Sequence, residues 1–357
     1  MTPIEVANTT LSHQTAALLA VLRHVPVIDR LELAPASPGD LAAADVVADV
    51  RVEGRRYTLV CVVTTTGQPR HVRTALLQLR QLVALHGRDA TPVLIAPYLS
   101  AAAQDLCRQH NAGFLDLEGN VHLAFGGVFI ERAVASKPVA ERRDLRSLFK
   151  PKSARMLRIM LRDPERPWRV AALAEAAGIS LGHVSNVRTG LLDREWARVS
   201  PDGLSLSDPD SLLDAWRDTY EPPAGKRHGF YTPLHGSALE QAVREALRER
   251  TGQMTLASFS AAQWLAPYAR TTTQYFYADE AGLEQLRSAL KLSRASKGEN
   301  AVVMTLEDPG PFRDTVEPAP GVICTSPVQT YLDLAIAGER GREAADHLRQ
   351  LQLNWQT

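Results

Sequence analysis

The chain has 357 residues, 45% of them hydrophobic, and 40 Lys plus Arg balance 40 Asp plus Glu. The zero net charge excludes a strongly basic whole-chain signature, and the length predicts two or three domains, since single cores rarely grow past about 250–300 residues. Cys61, Cys107 and Cys324 lie far apart without CxxC spacing, which argues against a disulfide framework or a cysteine metal site. No apolar run approaches the roughly 20 residues that span a bilayer, so we expect a soluble, cytoplasmic protein without membrane contacts.

Residues 1–136 alternate helix and strand patterns, which predicts an α/β domain. Two of its β-rich runs are separated by residues 53–56, a hairpin pattern. The predicted elements are helix 11–22, strands 45–52 and 57–64, helix 72–86, strand 92–96, helix 101–110, and strands 113–117 and 121–125.

The order of Asp49, a hairpin turn, a central strand and a helix resembles the restriction-endonuclease-like fold. In that family an Asp and a Glu-x-Lys pair on the next strand hold a divalent metal and position a water. Val62 and Thr64 stand near the positions of that Glu and Lys, and neither can perform this chemistry. Because Asp45, Asp49 and Asp116 lack the rest of the set, we expect an inactive copy of the fold without catalytic residues, metal or cofactor.

Residues 137–222 begin with a basic connector, 137–152, and continue with helical patterns at 153–162, 170–177 and 180–193. Gly178 stands where a helix ends and needs a left-handed residue, and Ser180 can cap the next helix. Residues 198–200 and 204–206 flank an Asp-Gly turn, and a closing helix is predicted at 209–220. This order predicts a winged helix-turn-helix that binds double-stranded DNA. The alternative is an ordinary helix pair with a hairpin.

The helix at 180–193 is predicted to enter the major groove, because its polar side chains are short or forked hydrogen-bonding groups suited to base edges. Basic residues on the first helix and the hairpin suit phosphates. The candidate DNA-binding residues are Lys152, Arg155, Arg158, Ser180, His183, Ser185, Asn186, Arg188, Thr189 and Arg198. Between residues 131 and 198 the chain carries fifteen Lys and Arg against eight Asp and Glu, a local excess of the kind that phosphate binding requires.

A linker is predicted at 221–228, followed by a third, α/β domain at 229–357. Its predicted helices are 239–250, 260–265, 283–292, 328–337 and 343–353, and its predicted strands are 272–277 and 301–306. Trp264, Tyr268 and Tyr331 are interpreted as core or interface aromatics. Asp333 is interpreted as an ion-pair partner of a nearby arginine, Arg340 or Arg342.

Residues 113–125, 153–206, 259–269 and 326–348 resemble the AbiEi-type antitoxin regulators of type IV toxin–antitoxin systems. The resemblance implies a bacterial DNA-binding repressor of its own operon. It also implies a carboxy-terminal, antitoxin-like domain that opposes a nucleotidyltransferase-like toxin. The nuclease-like domain ahead of the DNA-binding module departs from the shorter antitoxins.

The sequence thus predicts an α+β multidomain chain, with a restriction-endonuclease-like domain, a central winged helix-turn-helix and an antitoxin-like domain. The leading functional hypothesis is a sequence-specific, nucleoid-associated transcriptional regulator, a homodimer and not an enzyme. Two alternatives remain open. One is an architectural protein that binds or bridges DNA without sequence preference, and the other is a metal-dependent nuclease that uses Asp45, Asp49 and Asp116.

Overall fold

The computed structural model describes residues 3–35, 44–87, 89–135, 137–249, 251–268, 271–295 and 297–355. The chain divides into two compact units. The first comprises Met1–Arg142 and Leu192–Glu195, and the second comprises Arg143–Leu191 and Trp196–Thr357. Both contain helices and sheet, so the predicted mixed α and β class is confirmed.

The first unit is built on a seven-stranded sheet. Its strands are β1 (Ile28–Pro35), β2 (Val46–Val52), β3 (Arg55–Val63), β4 (Ala90–Ala96), β5 (Gly113–Asp116), β6 (Val121–Phe125) and β7 (Val128–Arg132). Its helices are α1 (Pro3–Leu22), α2 (Pro69–His86) and α3 (Ala101–Gln109). The strands lie side by side in chain order. β3, β4 and β5 are parallel, with α2 and α3 as their crossovers, and the other neighbours are antiparallel.

Both faces of the inner strand β3 are covered. Leu59 and Cys61 point into one apolar cluster, and Val60 and Val62 point into another, which includes residues of α2 and α3. A parallel strand buried on both faces needs a near-continuous apolar run, which is why the sequence predicted this strand. It did not predict β1 and β7, the edge strands, because an edge strand buries less; β7 buries only Val128.

The connector predicted at 137–152 is mostly helical. Helix α4 (Val139–Leu148) buries Leu145 and Leu148, and α5 (Pro151–Arg162) begins at Pro151. Proline is favoured in the first turn of a helix, where the missing N–H costs nothing, so this proline starts a helix and does not mark a linker. The next elements are α6 (Val170–Ala177), α7 (Leu181–Asp193), β8 (Ala197–Ser200), β9 (Gly203–Leu206) and α8 (Pro209–Asp218).

A second seven-stranded sheet occupies the remainder of the second unit. Its strands are β10 (Gly225–Tyr231), β11 (Met254–Leu256), β12 (Gln274–Ala278), β13 (Ser293–Arg294), β14 (Ala301–Leu306), β15 (Thr315–Ala319) and β16 (Val322–Thr325). They lie in the order β13-β10-β14-β12-β11-β16-β15. The helices are α9 (Gly236–Glu249), α10 (Ser258–Leu265), α11 (Glu280–Ala289), α12 (Gly310–Arg313), α13 (Pro327–Ala335) and α14 (Gly338–Gln352).

The linker predicted at 221–228 is wrong from Gly225 onward, because this segment is the first part of β10. It pairs antiparallel with β14 from Gly225, opposite Leu306, to Phe230, opposite Ala301. A Cβ at Gly225 would lie 2.3 Å from the carbonyl oxygen of Thr305, so glycine permits this close approach. The polar sequence of β10 resembles a linker because the strand is fixed by main-chain pairing with few buried side chains.

Candidate nucleic-acid interface

The turn between α6 and α7 has the predicted geometry. Gly178 adopts φ 63° and ψ 45°, and its N–H approaches the carbonyls of Ala174 and Glu175. This left-handed conformation is costly for any residue with a Cβ. The hydroxyl of Ser180 accepts a hydrogen bond from the His183 N–H at 3.3 Å. The predicted turn glycine and helix cap are therefore confirmed.

Helix α7 has one buried and one exposed face. Val184, Val187 and Leu191 are buried. On the other face Ser185, Asn186 and Thr189 are exposed and Arg188 is half-buried. The Thr189 hydroxyl donates to the Ser185 carbonyl at 3.1 Å, and no hydrogen bond to a described residue occupies the Asn186 amide. The exposed face thus offers unoccupied polar groups along one side of a helix.

The hairpin of β8 and β9 is held by Trp168. The Trp168 N–H donates to the Leu204 carbonyl at 2.8 Å, and the Leu204 N–H donates to the Trp168 carbonyl at 2.9 Å. A Cβ at Gly203 would lie 2.5 Å from the Trp168 carbonyl oxygen, so glycine is needed for this contact. Arg198 is exposed on β8, and its Nε lies 3.4 Å from the Ser205 hydroxyl.

Two arginines of α5 that we expected to bind phosphates are not placed to do so. Arg158 is 4% exposed, and its Nη1 donates to Gln329 Oε1 at 3.0 Å. Burial lowers the pKa of its guanidinium. Arg155 forms an ion pair with Asp308. Because other side chains of the protein occupy both guanidinium groups, Arg155 and Arg158 are not placed to bind DNA. The periodicity of α5 shows which face of the helix is basic, but it does not show what covers that face.

The structure also contradicts the predicted role of His183 as a residue that contacts bases. It is half-buried, and its Nε2 lies 3.0 Å from the hydroxyl of Ser153 on α5, so the ring connects α7 to α5 and does not face outward to base edges. The neighbouring Lys152 is exposed. The candidates that remain exposed or half-buried are Lys152, Ser180, Ser185, Asn186, Arg188, Thr189 and Arg198.

A buried polar cluster around Asp333 escaped the sequence interpretation. Asp333 Oδ1 accepts hydrogen bonds from the Tyr220 hydroxyl at 2.6 Å and from Gln329 Nε2 at 2.9 Å. Burial raises the pKa of Asp333 to about 6 and raises that of Tyr220 well above its usual value. The expected ion pair with Arg340 or Arg342 is absent; both of these described arginines are exposed.

A sequence signal for this cluster did exist. Gln329 and Asp333 are four residues apart on α13, where Val328, Leu332 and Leu334 are apolar and buried. Residues at this spacing share a helix face, and buried polar groups need hydrogen-bond partners. The pair therefore indicated a buried network, although not the tyrosines and the arginine that complete it.

Asp116 in the first unit has a structural role. It is 3% exposed, and its carboxylate accepts hydrogen bonds from the backbone N–H groups of Leu99, Gly119 and Asn120, each at 2.9 or 3.0 Å. The Asn120 side chain adds a bond at 2.8 Å. These bonds organise the turn between β5 and β6 and occupy the oxygens that a metal would use.

Asp45 and Asp49 are likewise occupied. Asp45 Oδ2 accepts from the Val63 N–H at 2.7 Å. Asp49 accepts from the Arg56 guanidinium at 2.6 Å and 3.0 Å, and this hydrogen-bonded arginine lowers the pKa of Asp49. Val62 is buried in the core. Among the described residues, no group of three or more His, Cys, Asp and Glu side chains could hold a metal ion.

The comparison with protein families addresses the carboxy-terminal part of the chain. Residues 205–354 match the family described as transcriptional regulator, AbiEi antitoxin, type IV TA system. This region is similar to AbiEi antitoxins. We call residues 205–354 the AbiEi-matching region. Searches of curated proteins and of solved structures found no match.

The match confirms the predicted resemblance where the two overlap. The AbiEi-matching region begins on β9 and ends after α14, and it contains residues 259–269 and 326–348, on which the resemblance was based. Residues 113–125 and 153–204 lie outside the match, so the resemblance predicted there stays a prediction. Arg155 and Arg158 precede the AbiEi-matching region, while their partners Asp308 and Gln329 lie inside it.

None of the helices in the described ranges is long and apolar enough to cross a membrane.

Proposed function

We propose that the chain is a sequence-specific DNA-binding regulator that represses its own promoter as the antitoxin of a type IV toxin–antitoxin system. The observation that carries the proposal is the exposed polar face of α7, beside a glycine turn and a hairpin. The regulator description of the family matched by residues 205–354 supports it. In this proposal residues 137–222 act as a winged helix-turn-helix.

The exposed face of α7 suits direct reading of bases. An α-helix fits the major groove, where an Asn amide can pair with adenine and an Arg guanidinium with guanine. Asn186 and Arg188 would take these roles, with Ser185 and Thr189 beside them. Lys152 on α5 and Arg198 on β8 would bind phosphates and fix the register of α7 on the duplex.

The proposal includes two protein partners. Helix-turn-helix dimers read two half-sites about 34–36 Å apart, so an inverted-repeat operator requires a homodimer. A nucleotidyltransferase-like toxin encoded in the same system would be opposed by the AbiEi-matching region. We assign no catalytic role to the first unit, in which Asp45, Asp49 and Asp116 are bound by backbone or side-chain donors.

A genome-wide footprint of the protein, followed by binding to its own promoter, tests the proposal. We expect a discrete peak at that promoter. Unrelated DNA should compete at least about a thousandfold less well than the promoter duplex. Diffuse coverage with equal competition would instead support an architectural protein. Cleavage of DNA with Mg²⁺ or Mn²⁺ that disappears in Asp49→Ala would support a nuclease.

The position of α7 is tested by comparing two arginines. Arg188→Ala should weaken binding to the promoter by about 1–3 kcal/mol and relax base preference, because a base contact carries sequence information. Arg198→Ala should weaken binding to promoter and unrelated DNA alike, because a phosphate contact does not. Arg287→Ala is a matched control, since Arg287 is on α11 in an exposed ion pair with Glu284. Unchanged promoter binding by Arg188→Ala at matched salt would place the reading helix elsewhere.

A further inference from the structure

Arg313 is an exposed arginine of the AbiEi-matching region that stands at the turn before α7. Its Nη1 lies 3.0 Å, and its Cζ 3.3 Å, from the position that a Cβ at Gly178 would occupy. The side chain is exposed, and no hydrogen bond or ion pair joins it to another described residue. Its guanidinium, with five N–H donors, is therefore available to an external acceptor beside the turn.

The segment that carries Arg313 is fixed to α5 on both sides. Asp308, before α12, forms an ion pair with Arg155, and its Oδ2 accepts from the Gly310 N–H at 3.0 Å. Asp314, directly after α12, is 4% exposed and forms an ion pair with Arg162. Exposed arginine side chains are usually mobile, but the backbone that carries Arg313 is held by an ion pair on each side.

The contact between α12 and α5 is close. A Cβ at Gly310 would lie 3.1 Å from Arg155 Cγ and 3.1 Å from Arg158 Nη2. Gly310 is buried, so its lack of a side chain lets the backbone of α12 lie directly against α5. The arginines of α5 thus organise the segment that presents Arg313.

The surface around this turn suits a polyanion. Gly178, Lys152 and Ser180 line one shallow groove of about 600 Å³. The acidic residue of its lining is Glu175, and Lys152 and the nearby Arg313 place two positive charges at the same turn. When the amino-terminal end of a recognition helix enters the major groove, the residues beside that end lie next to the DNA backbone. A cation at this place meets a phosphate.

We infer that Arg313 binds a DNA backbone phosphate at the start of α7, so that the AbiEi-matching region supplies part of the DNA interface. Arg155 and Arg162 are positioning residues for Arg313 and do not contact DNA themselves. The inference rests on the proposed function, since it requires α7 to lie on DNA. It also extends that function, because the antitoxin-like part of the chain and its DNA-reading part then share one binding surface.

The test is the salt dependence of binding to a duplex that covers the promoter of the chain's own gene. Each phosphate contact contributes about 0.9 to the slope of log affinity against log salt concentration. Arg313→Ala should reduce the magnitude of this negative slope by about 0.9. For each tenfold dilution of salt, the affinity of the variant for DNA should therefore rise by a factor roughly eight times smaller than the affinity of the wild type does. Arg313→Lys should keep the wild-type slope, and Arg287→Ala should match the wild type throughout.

The outcomes separate the two claims. If the wild-type protein does not prefer its promoter to unrelated DNA, the proposed function fails. If the wild type binds and Arg313→Ala keeps both its affinity and its salt slope, only the role of Arg313 is overturned. Because Arg313 is exposed and unpaired among the described residues, its replacement leaves the core intact, and circular dichroism provides the check on folding.

A double-mutant cycle tests the positioning role. Asp308→Asn should weaken promoter binding in the wild-type background. It should have no further effect in the Arg313→Ala background, because Asp308 acts on DNA binding only by positioning Arg313. An equal loss in both backgrounds would show that Asp308 acts on DNA binding without Arg313.

Discussion

Arg158 and Asp333 are two buried groups of opposite charge that no ion pair connects. Gln329 lies between them: its Oε1 accepts from Arg158 at 3.0 Å, and its Nε2 donates to Asp333 at 2.9 Å. An amide can accept from a guanidinium through its oxygen and donate to a carboxylate through its nitrogen at the same time. The Arg158–Gln329 hydrogen bond connects α5 to α13, and the Gln329–Asp333 bond orients the amide that accepts it.

The buried carboxyl makes stability depend on pH. Burial raises the pKa of Asp333 from 3.8 to about 6, so the folded state favours the protonated acid. The contribution of Asp333 to the free energy of unfolding therefore falls as pH rises from about 4 to about 6. This contribution is on the order of 3 kcal/mol at most. The groups facing Asp333 are Tyr220 and Gln329 as hydrogen-bond partners, the nearby Tyr277, and Arg158 as the nearby cation.

Asp333→Asn removes the titration and keeps an acceptor for Tyr220. We expect the free energy of unfolding of the variant, relative to the wild type, to increase between pH 4 and pH 6 and to level off above. Urea unfolding at a series of pH values measures it. A difference that does not vary across this pH range would contradict the raised pKa.

Helix α5 shows what an element's pattern can and cannot establish. The sequence predicted an amphipathic, basic helix, and the structure contains one, with Met156, Leu157 and Leu161 buried. Two of its arginines, Arg155 and Arg162, however, meet the carboxylates of Asp308 and Asp314. A basic helix face is thus equally compatible with DNA and with an acidic segment of the same chain, and only the three-dimensional neighbours distinguish the two.

Two glycines near the turn give opposite predictions for the same substitution. Gly178→Ala should destabilise the second unit by about 1–2 kcal/mol, because its φ is 63° and left-handed backbone disfavours a Cβ. Gly182→Ala should stabilise it by roughly 0.5–1 kcal/mol, because Gly182 is helical and a Cβ there meets nothing within 4 Å, so only the entropic cost of a helical glycine is removed. Thermal or urea unfolding compares them. Equal effects of the two changes would mean that the turn is not left-handed in solution.

The three cysteines can report on the unfolding of the two compact units. Cys61 and Cys107 lie in the first unit and Cys324 in the second. All three are free and 0% exposed, and burial raises the pKa of each thiol to about 12. A thiol must be exposed and ionised to react quickly.

We therefore expect no labelling of the native protein by a thiol reagent within minutes, and labelling only as each unit unfolds. Across a urea series, Cys61 and Cys107 should become reactive at one common midpoint, and Cys324 should follow the midpoint of the second unit. Mass spectrometry of the peptides measures each site. Different midpoints for Cys61 and Cys107 would contradict a single cooperative core in the first unit.

The sequence by itself determined the features that depend on neighbouring residues. These include the left-handed Gly178, the Ser180 cap and the apolar run of β3, because a backbone conformation, a cap or a strand is set within a few positions. Only the tertiary structure decided the partner of Arg158, which is 171 positions away along the chain, the pairing of β10 with β14, and the location of Arg313 beside Gly178. Periodicity identifies the face of a helix or strand, but the group that covers that face is chosen by the packing of distant segments.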